Sequence, residues 1–386
     1  MSLSVHPSHQ EHLGTVEPAP ASSRVDGVLT HAQIGSLELE SGETLPSVTL
    51  GYETWGTLNA DASNAVLVHH ALTGSTHVSR GDSDEDGWWE GLVGPGRALD
   101  TDQYFVVAAN LIGGCYGSTG PSSIAADGAP WGGRFPFVTL RDSVYAEARL
   151  ADALGIQSWY AVIGGSMGGA RALEWAVTYP ERVRAVVVIA VGAASTAEQI
   201  ALAQAQVLAI RQDPAFEGGD YYGGEQPQAG LGLARRIAHL SYRSEAELAA
   251  RFGRSAQPGE HPVSARRAQD VGEHRYQVES YLDHQARKLV GRFDANSYIV
   301  LTEALMSHDV SRGRGTLPEA LTRAAGVKFI LAAVRSDRLY LPQQSEELAA
   351  ALAQPQPVHW IDSGIGHDGF LTETEQLAPL VAAALR

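Results

Sequence analysis

Apolar residues fall into two rhythms along this chain. Runs that are almost continuously apolar, at Ala65-His69, Tyr104-Ala109, Tyr160-Ile163, Val183-Val191 and Val327-Val334, predict strands buried on both faces of a sheet. Val48-Tyr52 and Val358-Ile361 predict two more. Between them, Leu140-Leu154 and Ala170-Tyr179 carry helical spacing, the second stopped by Pro180, and Glu373-Arg386 predicts a closing helix. Alternating strands and helices imply an α/β fold with a mostly parallel central sheet.

That alternation stops after Val191. Helix-like segments follow at Thr196-Arg211, Leu231-His239, Glu245-Phe252, Val278-Arg292 and Ala295-Met306, joined by polar and Gly-rich loops such as Glu217-Gly224. The expected division is a core formed by residues 27–191 and 317–386, interrupted by a helical lid at 192–316. A lid inserted between core strands would cover their carboxyl ends, where an open α/β sheet places its ligands. Residues 1–26, rich in Ser, Pro, His and Glu, read as a disordered arm.

The 386 residues, 44% of them hydrophobic, supply a large core. A net charge of -16 argues against a nucleic-acid partner, since the Arg-rich pieces, Arg235-Arg236 and Arg266-Arg267, are short. The arm lacks the basic and apolar regions of a signal peptide, and no apolar run is long enough for a bilayer, so a cytoplasmic location and no membrane contact are expected. The single cysteine, Cys115, cannot form an internal disulfide and is expected to be buried as a small apolar group.

Candidate chemistry centres on Gly164-Gly165-Ser166-Met167-Gly168. A strand, a Gly-rich turn and a helix with a serine at the apex form a nucleophile elbow, which lifts the hydroxyl beside a helix N-terminus. Serine needs a base, and the base needs an acid to fix its tautomer. Chain order places the acid after the strand Val327-Val334, at Asp337, with Asp362 as the alternative. The base belongs after Val358-Ile361, at His367, between flexible glycines. Oxyanion donors are expected from the backbone amides of Met167 and of Leu72, in His70-Ala71-Leu72-Thr73-Gly74. His69, His70 and His77 lack a metal-ligand pattern, so no metal is expected; Ile112-Gly120 lacks the spacing of a nucleotide loop.

With these motifs the chain resembles the homoserine O-acetyltransferase family of methionine biosynthesis. The resemblance spans about Thr49 to Leu371 and rests on His70-Gly74 with His77, Gly87-Trp88-Trp89, Asn110 through Pro121, Gly164 through Gly169, Ala234-Arg235 with Tyr242-Arg243, and Gly366-His367-Asp368-Gly369-Phe370. It implies an α/β-hydrolase fold with a helical lid, a homodimer joined through that lid, and the triad Ser166, Asp337 and His367. Arg235, Tyr242 and Asp368 are implied to hold the amino acid. The implied reaction is ping-pong, with acetyl-CoA as co-substrate, no cofactor and L-homoserine as acceptor. Ser75-Thr76 and Ala125-Ala126-Asp127 depart from the family pattern, leaving open succinyl-CoA as donor or serine as acceptor. Outside acyl transfer, the alternatives are a plain esterase, with the triad but no amino-acid clamp, and a non-catalytic binding protein.

Overall fold

A computed structural model describes residues 25–263 and 272–386. The predicted arm therefore lies outside the described residues except for its last two positions, and Arg266-Arg267 lies outside them entirely. The elements run β1 (Thr30–Glu38), β2 (Thr44–Trp55), β3 (Ala65–His69), β4 (Val93–Gly94), β5 (Leu99–Asp100), β6 (Phe105–Ala109), α1 (Leu140–Ala153), β7 (Ala161–Gly165), α2 (Met167–Thr178) and β8 (Ala185–Ile189). Helices α3 (Ala197–Arg211), α4 (Gln228–Tyr242), α5 (Glu245–Arg251), α6 (Gln277–Val290) and α7 (Ala295–Met306) follow as an insertion. The chain closes with α8 (Leu317–Thr322), β9 (Lys328–Val334), α9 (Pro342–Ala351), β10 (Val358–Ile361), α10 (Gly369–Thr372) and α11 (Thr374–Ala384).

Eight strands form one sheet in the order β1-β2-β6-β3-β7-β8-β9-β10. From β6 to β10 all neighbours are parallel, whereas β2 runs antiparallel to both β1 and β6. Strands β3, β6, β7 and β8 are buried along their whole length, as their unbroken apolar runs predict. Alternate residues feed separate cores: in β8, Val186 and Val188 face one, while Ala185, Val187 and Ile189 face the other. The first core packs under α1 and α2 and continues into the insertion; the second packs under Leu377 and Val381 of α11.

Some elements differ from the sequence expectation. β1 was not anticipated: it is an edge strand whose side chains are mostly exposed, so no apolar run marks it. β2 extends well beyond Val48-Tyr52 at both ends. α2 begins at Met167 rather than Ala170, so the first helical turn abuts the serine directly. α9 starts at Pro342, where proline's fixed φ and missing N–H suit the first turn, a signal the expectation passed over.

Behind the elbow lies a buried charged cluster. Glu147 of α1 accepts from Arg171 Nε (3.0 Å) and Trp175 Nε1 (2.6 Å) of α2, and from His69 Nε2 (3.0 Å) at the end of β3. Arg171 is fully buried and Glu147 nearly so. Burial alone would raise the Glu147 pKa, but Arg171 and His69 outweigh it and bring it down to about 2. Burial, together with Arg171, lowers the His69 pKa, so this ring is neutral and donates an ordinary hydrogen bond. The cluster ties β3, α1 and α2 into one support for the turn carrying Ser166.

Glu147→Ala leaves the Arg171 guanidinium buried without its carboxylate and is expected to cost about 3–5 kcal/mol of unfolding free energy. Denaturant titration at pH 7 measures this. Because the folded pKa of Glu147 is depressed, its contribution is fully present above about pH 4.5 and fades as the pH falls toward 2. A loss under about 1 kcal/mol in the variant would show that the cluster does not support the fold.

Candidate active site

Ser166 occupies the turn between β7 and α2 with φ 58° and ψ -127°. A non-glycine residue in such a conformation costs on the order of 1–3 kcal/mol, which the surroundings must offset. The surrounding glycines serve by letting backbones touch. A Cβ on Gly164 would stand 2.3 Å from the Gly168 carbonyl oxygen, one on Gly168 2.5 Å from the His69 carbonyl oxygen, and one on Gly165 2.3 Å from the Phe370 ring. The Ser166 amide donates to the Ile189 carbonyl (2.9 Å), fastening the apex to β8.

The loops after β9 and β10 meet this apex. His367 Nε2 lies 2.8 Å from Ser166 Oγ, and His367 Nδ1 lies 2.6 Å from Asp337 Oδ2. The other Asp337 oxygen accepts from the amides of Leu339 (2.8 Å) and Tyr340 (2.9 Å), so the carboxylate cannot swing. All three side chains are buried. Burial pushes the His367 pKa down, but the charge and hydrogen bond of Asp337 outweigh it and leave the imidazole above its ordinary value. Asp362, the alternative acid, is at the surface, 75% exposed and paired with Arg335 at 2.7 Å.

A second hydroxyl joins the acid and histidine loops. Ser336 Oγ donates to the Ser363 carbonyl (2.5 Å) and accepts from the Gly366 amide (3.0 Å). The rings of Tyr340 and Phe370 flank His367, with centroids 5.4 and 5.3 Å away. Sequence reasoning missed Ser336, Tyr340 and Phe370 as supports of the site. Nearness in the chain to Asp337 and His367, and for Phe370 a place in the quoted motif, does not reveal which way a side chain points.

The amides of Leu72 and Met167 donate to no other protein group among the described residues. Met167 opens α2, so its N–H is one of the donors a helix start leaves unpaired. Leu72 and Ser166 line the same cavity, of about 420 Å³, which is also walled by Arg235, Tyr242, His367 and Asp368. The Arg235 guanidinium lies 5.3 Å from the centroid of the Tyr242 ring. Asp368 pairs with Arg243 at 3.3 Å, a contact the sequence reading did not foresee. Arg292, two residues beyond α6, reaches the same wall and donates to the Thr73 carbonyl at 2.9 Å.

The remaining candidates have structural partners. His69 belongs to the Glu147 cluster, and His70 Nδ1 lies 2.8 Å from the Ala71 carbonyl, with burial lowering its pKa to about 3. His77 Nδ1 lies 2.8 Å from Glu53, which also accepts from the Thr76 hydroxyl, so the departing residue Thr76 is buried with a partner while Ser75 beside it lines the cavity. Asp127, in the other departure, pairs with Arg134 at the surface. Cys115 is partly buried, and burial raises its thiol pKa to about 11, well away from a reactive thiolate.

A family model described as alpha/beta hydrolase fold matches residues 64–374. A homoserine O-acetyltransferase of Thermobifida fusca is 55% identical over 354 residues, covering 90% of this chain and 91% of that protein. Among solved structures, a homoserine O-acetyltransferase from Bacillus anthracis superposes with a TM-score of 0.84 at 28% identity, covering 93% of this chain and 97% of that one. A structure titled esterase E22 also reaches 0.84, at 25% identity and with 93% and 100% coverage. Backbone similarity therefore spans transferases and an esterase, and the much higher sequence identity separates them. On that identity and coverage, the chain belongs to the homoserine O-acetyltransferase family of the α/β-hydrolase fold.

Proposed function

We propose that this enzyme transfers the acetyl group of acetyl-CoA to the side-chain hydroxyl of L-homoserine through an acyl-Ser166 intermediate. The observation that carries the reading is the His367 ring held between Asp337 and Ser166, at 2.6 and 2.8 Å, on the wall of a cavity of about 420 Å³. His367 Nε2 takes the Ser166 proton as Oγ attacks the thioester carbon. The amides of Leu72 and Met167 receive the oxyanion, aided by the positive end of α2. The C–S bond breaks, and the imidazolium returns the proton to the CoA thiolate. Homoserine then gives its hydroxyl proton to His367 and attacks the acyl carbon, and Ser166 Oγ leaves as an alcohol.

Acceptor binding follows from the charges on the wall. The α-carboxylate faces Arg235, whose planar guanidinium suits a forked contact, with the Tyr242 hydroxyl beside it. The α-ammonium faces Asp368. In this reading the insertion, residues 192–316, acts as a lid that orients homoserine and excludes water, which favours transfer over hydrolysis. The core then comprises 27–191 and 317–386. Exposed Ile200 and Leu208 on α3, with Leu233 and Leu240 on α4, support a homodimer joined through the lid. The product, O-acetyl-L-homoserine, fits a cytoplasmic step of methionine biosynthesis. The esterase-titled neighbour keeps one rival in view, hydrolysis of small esters by the same triad.

Thiol release from acetyl-CoA, followed with and without homoserine, tests the assignment. Release that depends on homoserine is expected; equal rates without it would make the protein a hydrolase, and activity with succinyl-CoA alone would change the donor. Ser166→Ala is expected to abolish turnover, and surviving activity would remove Ser166 as the nucleophile.

His367 must be neutral to act as base, so kcat/KM for acetyl-CoA is expected to fall as the pH drops through its raised pKa, with a midpoint above pH 6.5. In Asp337→Asn the midpoint should move down and the rate fall by about 10⁴-fold. An unmoved midpoint would separate His367 from the observed titration.

Arg235→Ala is expected to raise the KM for homoserine by about tenfold or more, with a much smaller effect on the initial burst of CoA. Equal losses in both half-reactions would place Arg235 outside the acceptor subsite.

A further inference from the structure

A charged pair spans the cavity wall, with Asp368 in the lining and its partner one layer behind. Arg243 lies in the connection between α4 and α5, and it is absent from the cavity lining. Its Nη2 is 3.3 Å from Asp368 Oδ2, and its Nη1 is 3.6 Å from Glu247 Oε1. Glu247 also holds Arg251 at 2.7 Å, nearer the surface. Among the described residues that line the cavity, Arg243 pairs with Asp368 alone.

Its place is set by backbone contacts between the insertion and the histidine loop. The Asp368 amide donates to the Tyr242 carbonyl (3.3 Å), and the Ser244 amide donates to the Ile365 carbonyl (2.8 Å). Ser244 Oγ donates to the Gly364 carbonyl while accepting from the Glu247 amide (3.0 Å) as the cap of α5. Gly366, with φ 103°, permits this approach, since a Cβ there would stand 2.6 Å from the Ser244 nitrogen. The segment carrying Arg243 is thus locked to the loop carrying Asp368 and His367.

Asp368 needs such a partner. Burial raises its carboxyl pKa, and Arg243 is the largest opposing influence, ahead of His367 and Arg235; Asp337 acts more weakly with burial. A protonated carboxyl would lose most of its attraction for an ammonium group, and an unpaired buried carboxylate is costly.

We propose that Arg243 is a positioning residue of the acceptor subsite, holding Asp368 as an anion turned toward the cavity to receive the α-ammonium of the acceptor amino acid. The proposal rests on the homoserine-transfer reading above. Asp368 meets Arg243, Arg235 and Tyr242 from the insertion, His367 from its own loop and Asp337 from the acid loop, and among these Arg243 is the cation paired with it.

The test uses the full chain with Arg243→Gln and Arg243→Lys, comparing the acceptor-free CoA burst with kcat/KM for homoserine across pH. Arg243→Gln is expected to lower homoserine kcat/KM by about tenfold or more, chiefly through KM, and the burst rate by no more than about threefold. The acid limb of the homoserine profile should move to higher pH, and Arg243→Lys should recover most of the loss. In an Asp368→Asn background, Arg243→Gln should add less than about twofold. Equal losses in both half-reactions, independent losses in the double variant, or an unchanged homoserine KM overturn the proposal. Turnover of the unaltered protein that ignores homoserine overturns the transfer reading and this proposal together.

Discussion

The imidazole of His367 is held at both nitrogens, by a carboxylate that cannot turn and a hydroxyl that cannot retreat. Its partners are 30 and 201 residues away along the chain. Parallel strands bring them together, because β7, β9 and β10 all end on the same edge of the sheet and each delivers one loop there. The strained serine, the touching glycines and the Ser336 bridge between loops all keep that ring in place. In the proposed mechanism, a shift of about an ångström at any of them would uncouple the proton transfer from the attacking oxygen.

Burying the site brings charged groups into the protein, and three of its carboxylates have partners there. Glu147 and Arg171 meet behind the elbow, Asp337 meets the ring inside it, and Arg243 meets Asp368 at the acceptor end. The first pair is farthest from solvent and joins elements, while the last lies across the seam between core and insertion. A shared backbone fold with an esterase shows how little of the difference between transfer and hydrolysis resides in the sheet. The side chains proposed to face the acceptor amino acid come from the insertion and from the residue after the histidine.

Much of the fold was legible because buried parallel strands must be apolar throughout, so β3, β6, β7, β8 and β9 announce themselves. β1 did not, since an edge strand with exposed side chains needs no apolar run. Ser166 was legible because a strained turn demands glycines beside it. Choosing between Asp337 and Asp362 depended on chain order; their exposure, one buried and the other at the surface, appears only in three dimensions. Arg243 carried no signal of its own beside Tyr242, because an arginine reads the same whether it faces solvent or a buried carboxylate.

By itself the sequence determined the layered α/β architecture, the position of the elbow and the chemical types near it, since periodicity and glycine spacing are local properties. Tertiary structure alone decided which nitrogen of His367 faces which oxygen and which arginine pairs with Asp368. It also decided that the insertion's backbone is fastened to the histidine loop. Those depend on distances between segments far apart in the chain, which packing sets and composition does not record.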